Sequence, residues 1–313
     1  MHERFGVRAF LFISERITME VARRVLLELC YDGSSYSGWQ IQPGQPNVQT
    51  IQGELQKALT RVTGEENIEI LGSGRTDAGV HALYQTAAFT TTSSLPLPTI
   101  SRALNAFLPP DIRIWRASYV DLDFHPIHEV LRKRYRYLLS DFRPSFPFFR
   151  KNMWNVLRPL DVEKMNVASK FLLGSHDMSS FQTQGSPRKS TVRTVYDVSI
   201  QRTSPSNAFL FPKASLIDEN LASLPGASSI FPPDLIIFEI EANGFLYNMV
   251  RAIVGTLYLF GESHRGYENV ERMKEIIDSC DRSLAGPTAP AHGLYMVDVV
   301  YPSERIKWNG DIR

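Results

Sequence analysis

The sequence predicts an α+β fold built from two successive units, and three observations predict it. The first half reads as β-α-β-turn-β-α-β, the order of a compact unit with helices on one face of a largely antiparallel sheet. Strand, helix and strand signals recur in similar order beyond His125, which points to a duplicated or pseudo-symmetric pair. At 313 residues and 43% apolar content, the chain can bury a core for two domains or one large one.

Each element has a local reason. "RRVLLELCYDG" is a strand ending in a turn, and Thr50 is placed to cap a helix. In that helix Ile51, Leu55 and Leu59 form a stripe widened by Ala58 and Val62. "NIEIL" enters a glycine-rich turn and "YQTAAFTT" leaves it as a strand. "TISRALNAFL" is helical until Pro109-Pro110 stops it, and "DIRIWRASYV" is a strand. In the second unit, "RKRYRYLLS", "RTVYDVSIQRT", "LIIFEIEAN" and "GLYMVDVVYP" are strands. "VEKMNVASKFLLG" is an amphipathic helix, and Phe245 to Phe260 is a strongly apolar one. The resulting division is an extension over 1–22, a first unit over 23–124, a second over 125–303 and a tail over 304–313. The second unit carries a Ser/Pro-rich insertion at about 203–233.

Composition excludes several classes. The longest apolar runs fall far short of the roughly 20 residues that cross a bilayer, so no membrane partner is expected. Cys30 and Cys280 are far apart and lack metal-ligand spacing, which argues against a disulfide framework or a zinc site and fits a reducing compartment. Cytoplasmic location is the expectation. The arginines of residues 1–22 admit import into a mitochondrion or plastid instead, although Glu3, Glu15 and Glu20 and the shortage of serine oppose a targeting peptide.

The net charge of +1 conceals local clusters. Between Leu131 and Lys151, the cations Arg132, Lys133, Arg134, Arg136, Arg143, Arg150 and Lys151 face a single acid, Asp141. Arg188, Lys189 and Arg193 form a second group with no acid. Phosphate binding needs local rather than global positive charge, so both clusters suit RNA as well as they suit a solvated face.

The candidate chemistry centres on "GSGRTDAGVHA". Asp77 lies on a glycine-flanked connection where backbone can approach a ligand closely. A nucleophilic carboxylate must stay ionised although the burial that shields it favours the protonated form. A nearby guanidinium resolves the conflict. Arg75, two residues away, is one candidate; Arg251, a lone cation on the apolar helix, is another, since a buried charge needs a carboxylate or phosphate unless it reaches solvent. Without such a partner, Asp77 is an ordinary turn residue. Tyr135 and Tyr137 alternate with cations on one strand, where an aromatic face can stack a base or pack a core.

Eight blocks, "YDGSSYSGWQIQP", "TIQGEL", "GSGRTDAGVHA", "LNAFLPPDIRI", "FHPIHEVLRKRYRY", "HDMSSF", "NGFLYNMVRAIVG" and "TAPAHGLYMVDVVYP", occur in the order found in the tRNA pseudouridine synthase A family, and the chain closely resembles that family over about residues 24 to 302. The resemblance implies two ferredoxin-like α+β domains sharing a mainly antiparallel sheet, with a basic cleft between them. It implies isomerisation of uridine to pseudouridine in tRNA, at nucleotides 38 to 40 of the anticodon arm, by a homodimer without cofactor or metal. Asp77 corresponds to the family's catalytic aspartate and Arg75 to the arginine that takes the place of the extruded nucleotide. Tyr135 corresponds to the tyrosine stacking on the uracil, Arg251 to the partner of the aspartate, and Leu294 to an apolar residue packing on the base. Arg251 thereby becomes the expected partner of Asp77. Arg132, Lys133, Arg134, Arg188, Lys189 and Arg193 are then expected RNA contacts. One block departs: Pro126 and Ile127 stand where relatives often carry Ala and Arg, so that arginine's RNA contact is absent or supplied by Arg132 or Lys133. The alternative reading is a non-catalytic RNA-binding protein or tRNA chaperone on the same fold.

Overall fold

The computed structural model describes residues 21–308 apart from 46, 144, 146, 184–189, 204–234 and 263–266. The extension, the bulk of the expected insertion, and Arg188 and Lys189 lie outside the described residues.

Among the described residues, ten strands form one sheet: β1 (Arg23–Tyr31), β2 (Ile70–Gly72), β3 (His81–Thr91), β4 (Ile112–Val120), β5 (Arg132–Ser140), β6 (Trp154–Asn155), β7 (Gly174–Asp177), β8 (Val192–Thr203), β9 (Leu235–Ala242) and β10 (Leu294–Val300). Their order is β4-β1-β3-β10-β5-β9-β8-β7, with β2 on β3 and β6 on β5. Pairing is antiparallel except for β10 with β3 and β6 with β5. The last strand thus inserts between the two halves, setting Tyr295 beside His81 and Met296 opposite Tyr135.

The α-helices among the described residues are α1 (Ile51–Thr63), α2 (Leu97–Phe107), α3 (Val162–Ser169), α4 (Met249–Gly261) and α5 (Arg272–Ser279). Thr50 caps α1 as expected, accepting from the Gly53 N–H at 3.2 Å, and Gly64 ends it at φ 77°. Leu55 and Leu59 of α1, Leu104 of α2, Met165 of α3, Ile253 of α4 and Ile276 of α5 enter one core with Phe89, Tyr137 and Phe238 of the sheet. A smaller apolar group, Leu138, Met153, Ile237 and Val297 among it, covers the opposite face. Cross-strand partners share a face, so Tyr135, Tyr137, Ile240, Leu294 and Met296 all look toward the helices. No helix among the described residues is long and apolar enough to cross a membrane.

Two expectations need correction, and one helix has no counterpart among them. The apolar helix begins at Met249 rather than Phe245, because Asn248 at φ 60° breaks the helical path. Strand β3 begins at His81, three residues before Tyr84, because β10 supplies a parallel partner that local pattern does not reveal. The further helix is α5, whose buried Met273, Ile276 and Ile277 carry the i, i+3, i+4 spacing of a helix face.

Candidate active site

The Ser73–Val80 connection between β2 and β3 is glycine-rich yet anchored along its length. At its entry the Ser73 N–H donates to the Thr86 carbonyl at 2.9 Å, and the Ser73 hydroxyl bonds Gln85 Oε1. Gln85, fully buried, returns a bond from Nε2 to the Gly74 carbonyl at 2.8 Å. Lys133 Nζ donates to the Ser73 carbonyl at 2.5 Å. In the middle, Thr76 Oγ1 bonds the Tyr31 hydroxyl at 2.8 Å, and the Trp39 N–H donates to the Thr76 carbonyl at 3.0 Å. At the exit Gly79 adopts φ 78°, and a turn bond of 3.1 Å joins the Val80 N–H to the Asp77 carbonyl.

Gly33, just after β1, lies so close to this exit that a Cβ there would stand 2.0 Å from the Val80 carbonyl oxygen. His81 secures the same corner: Nδ1 lies 3.1 Å from Asp32 Oδ1, while Nε2 faces the carbonyls of Lys151 at 3.0 Å and His292 at 3.2 Å. The bond from His81 holds the Asp32 carboxyl well below the usual carboxylate range. The glycines therefore serve close backbone approach and one left-handed turn rather than looseness.

Asp77 faces helix α4. Arg251 Nη1 lies 3.3 Å from Asp77 Oδ2, and the two side chains are 17% and 27% exposed, so the pair is shielded but reachable. Burial pushes the Asp77 carboxyl above its ordinary value, and the charge and hydrogen bond of Arg251 pull it back without cancelling the rise. Arg251 has two further acceptors, the Ala289 carbonyl on Nε at 2.7 Å and Asn248 Oδ1 on Nη1 at 2.8 Å. Arg75 points to solvent and has no ion pair with Asp77. Of the two cations offered by the sequence, the fold brings only Arg251 to the carboxylate.

The two tyrosines divide cleanly. Tyr137 is fully buried and its hydroxyl donates to the Pro290 carbonyl at 2.7 Å, which makes it structural. Tyr135 is 8% exposed, and its ring meets Phe245 edge-on with centroids 4.9 Å apart. Burial holds its hydroxyl protonated far above the ordinary range, with smaller contributions from Tyr31 and Asp77. Leu294 is buried opposite Tyr137 at the start of β10, next in register to Met296 opposite Tyr135. Asp77 and Arg251 thus meet from a loop and a helix, while Tyr135 and Leu294 sit on the helix-facing side of the neighbouring strands β5 and β10.

The basic residues fare differently. Arg134 lies on the face away from the helices, where Asp197 at 2.9 Å and Glu241 at 3.1 Å engage it. Arg132 joins Glu241 at 3.1 Å, and Arg136 joins Glu239 at 2.7 Å. The three arginines of β5 are therefore paired with carboxylates on adjacent strands, which a count along the chain does not register. Lys133, on the other face, turns inward to the Ser73 carbonyl. Arg193 donates to the carbonyls of Ser190 and Val192 and lies near Gly244, at the turn leading to α4. Gln85 and Met296 lie against the Asp77 loop at Gly74, and Asn248 against Arg251; none was among the expected residues. For Asn248 and Gln85 the sequence carries no periodic signal, because Gln85 is aimed at Ser73 and Gly74 on the preceding loop and the amide of Asn248 is oriented through Thr183, 65 residues away.

A family model described as tRNA pseudouridine synthase matches residues 30–129 and 168–302. The chain belongs to the tRNA pseudouridine synthase family. A tRNA pseudouridine synthase A of Thermoanaerobacter sp. (strain X514) is 40% identical over 279 residues, covering 89% of this chain and all of the relative. One from Acetivibrio thermocellus is 39% identical over 279 residues, with the same coverage. One from Brevibacillus brevis is 40% identical over 280 residues, again 89% of this chain and 100% of its own length. The matched regions include the Asp77 loop, α4 and β10, and so Asp77, Arg251 and Leu294, whereas Tyr135 falls between them.

Proposed function

We propose that this chain isomerises uridine to pseudouridine in tRNA at the recess around Asp77. The reaction breaks the C1′–N1 bond, turns the retained uracil, and joins C5 to C1′; a proton leaves C5 and N1 gains one. No atom or electron is lost, so the protein needs a carboxylate, a pocket that holds the free base, and phosphate contacts for the RNA. The observation that carries this reading is the shielded Asp77 carboxylate beside Arg251 at 3.3 Å.

In this reading Asp77 acts as the ionised nucleophile, kept ionised against burial by Arg251. Attack on C1′, addition at C6 and elimination to a glycal all begin from that ionised carboxylate. Tyr135 supports the uracil and Leu294 closes the apolar side of the recess. Arg75, exposed at the loop tip, replaces the extruded uridine, whose unstacking costs a few kcal/mol offset by these contacts. Arg193, Arg188 and Lys189 contribute to phosphate binding, with Arg132, Lys133 and Arg134 secondary because of their intramolecular partners. We further read the substrate position as nucleotides 38 to 40 of the anticodon arm, the working form as a homodimer, and the site of action as the cytoplasm.

The test uses a tRNA transcript tritiated at uridine C5, since only isomerisation at C5 releases that label. The parent protein is expected to release tritium and Asp77→Asn to release none while retaining tRNA binding. Sustained release by Asp77→Asn would rule out the assignment, and binding without release by the parent would favour a non-catalytic RNA-binding protein.

A further inference from the structure

Asn248 immediately precedes α4 and sits at φ 60°, ψ 6°, a left-handed conformation that side chains other than glycine rarely adopt. An asparagine in this position ordinarily turns its amide oxygen onto the first-turn N–H groups of the helix. Here the side chain makes no capping bond. Its amide is committed elsewhere: Nδ2 donates to Thr183 Oγ1 at 3.0 Å, and Oδ1 accepts from Arg251 Nη1 at 2.8 Å. The orientation is dictated by chemistry, because a guanidinium can only donate and so requires the amide oxygen. Thr183 is itself tied to this turn, its N–H donating to the Tyr247 carbonyl at 3.2 Å.

The same Nη1 reaches Asp77 Oδ2 at 3.3 Å, a longer contact than the one to Asn248. Arg251 Nε is fixed on the Ala289 carbonyl at 2.7 Å. The guanidinium is therefore held from two sides before it meets the carboxylate, and one of those holds is an amide aimed by an unusual backbone.

We infer that Asn248 is a positioning residue: its left-handed backbone and its tether to Thr183 aim the amide oxygen so that Arg251 is held against Asp77. The inference rests on the proposed role of Asp77 as an ionised nucleophile. It separates from a purely structural role of the same residue, because a left-handed backbone alone would be served better by glycine.

The experiment compares parent, Asn248→Gly and Thr183→Val in steady-state tritium release from the C5-labelled tRNA, with thermal unfolding of the same preparations. Asn248→Gly keeps the backbone and deletes the amide. Expected is a Tm no lower than the parent's, a KM for tRNA within about twofold, and a kcat lower by about tenfold, the scale on which small misplacements of reacting groups act. Parental kcat in Asn248→Gly overturns the inference. Should that variant fail to fold, Thr183→Val decides, since it removes the amide's other tether without touching α4; a reduced kcat at unchanged KM supports the inference and a parental kcat overturns it. A parent that releases no tritium overturns the proposed function and the inference together, whereas an active parent with an equally active Asn248→Gly overturns the inference alone.

Discussion

Arg251 Nη1 and Asp77 Oδ2 lie 3.3 Å apart although 174 residues separate them in the chain. Asp77 comes from the β2–β3 loop of the first half and Arg251 from the first turn of α4 in the second. The contact requires both halves to share one sheet, and β10 between β3 and β5 makes that sheet continuous. The pairing also sets two opposing effects on Asp77, burial and attraction, of which burial is the larger.

That balance predicts the pH dependence of turnover. The acidic limb of kcat/KM should lie above 3.8, the ordinary value for aspartate, because burial raises the folded-state carboxyl. Arg251→Lys offers a weaker and less well directed hydrogen bond, so it should move the limb to still higher pH. A pH–rate profile of tritium release checks both, and a limb moving downward in Arg251→Lys would contradict the balance.

Stability follows with a definite sign. A carboxyl with a raised folded pKa favours folding below the ordinary carboxylate range and loses that contribution as pH rises through the raised value. Asp77→Asn, which never ionises, should therefore be at least as stable as the parent at neutral pH. The difference should shrink on acidification to about pH 3, where both side chains are neutral. Urea unfolding at the two pH values measures it.

Tyr135 and Tyr137 should respond oppositely to loss of the hydroxyl. Tyr137→Phe gives up the bond to the Pro290 carbonyl and should cost about 1 kcal/mol of stability, with little change in kcat. Tyr135→Phe should leave stability unchanged and keep most activity, whereas Tyr135→Ala should lose activity, if the ring is what meets the base. Parallel unfolding and turnover assays separate these outcomes.

Helix α4 is locked to the segment before β10. A Cβ on Gly255 would stand 1.7 Å from the Pro287 carbonyl oxygen, with no flexible side chain to yield. Gly255→Ala should cost about 3 kcal/mol by overpacking. It should also lower kcat, since Ala289 and Arg251 bond across this contact. Differential scanning calorimetry and turnover test it together.

The ion pairs behind the sheet predict a further separation. Arg134→Ala leaves Glu241, which is 7% exposed, short of a partner and should cost about 2 kcal/mol of stability. Its effect on the KM for tRNA should stay within about twofold, well below that of an arginine bound directly to phosphate. Salt-dependent binding and thermal unfolding of the same variant distinguish the two roles.

By itself the sequence determined what depends on neighbours in the chain. Thr50 caps α1, Pro109-Pro110 follow α2, and period-two patterns mark the strands, because capping, proline sterics and side-chain alternation act within a few residues. Its motifs also named Asp77, Tyr135, Arg251 and Leu294. The family resemblance already pointed to Arg251 as the partner of Asp77, and the structure shows that contact at 3.3 Å; the fate of the Arg132–Arg136 cations was decided only by tertiary structure, because it depends on groups from other strands. Asn248 and Lys133 show the same limit. One reads locally as a helix residue and the other as a surface cation, yet one holds Arg251 and the other the Ser73 carbonyl. Local energetics set the elements, while the placement of shielded charges depends on which segments the continuous sheet brings together.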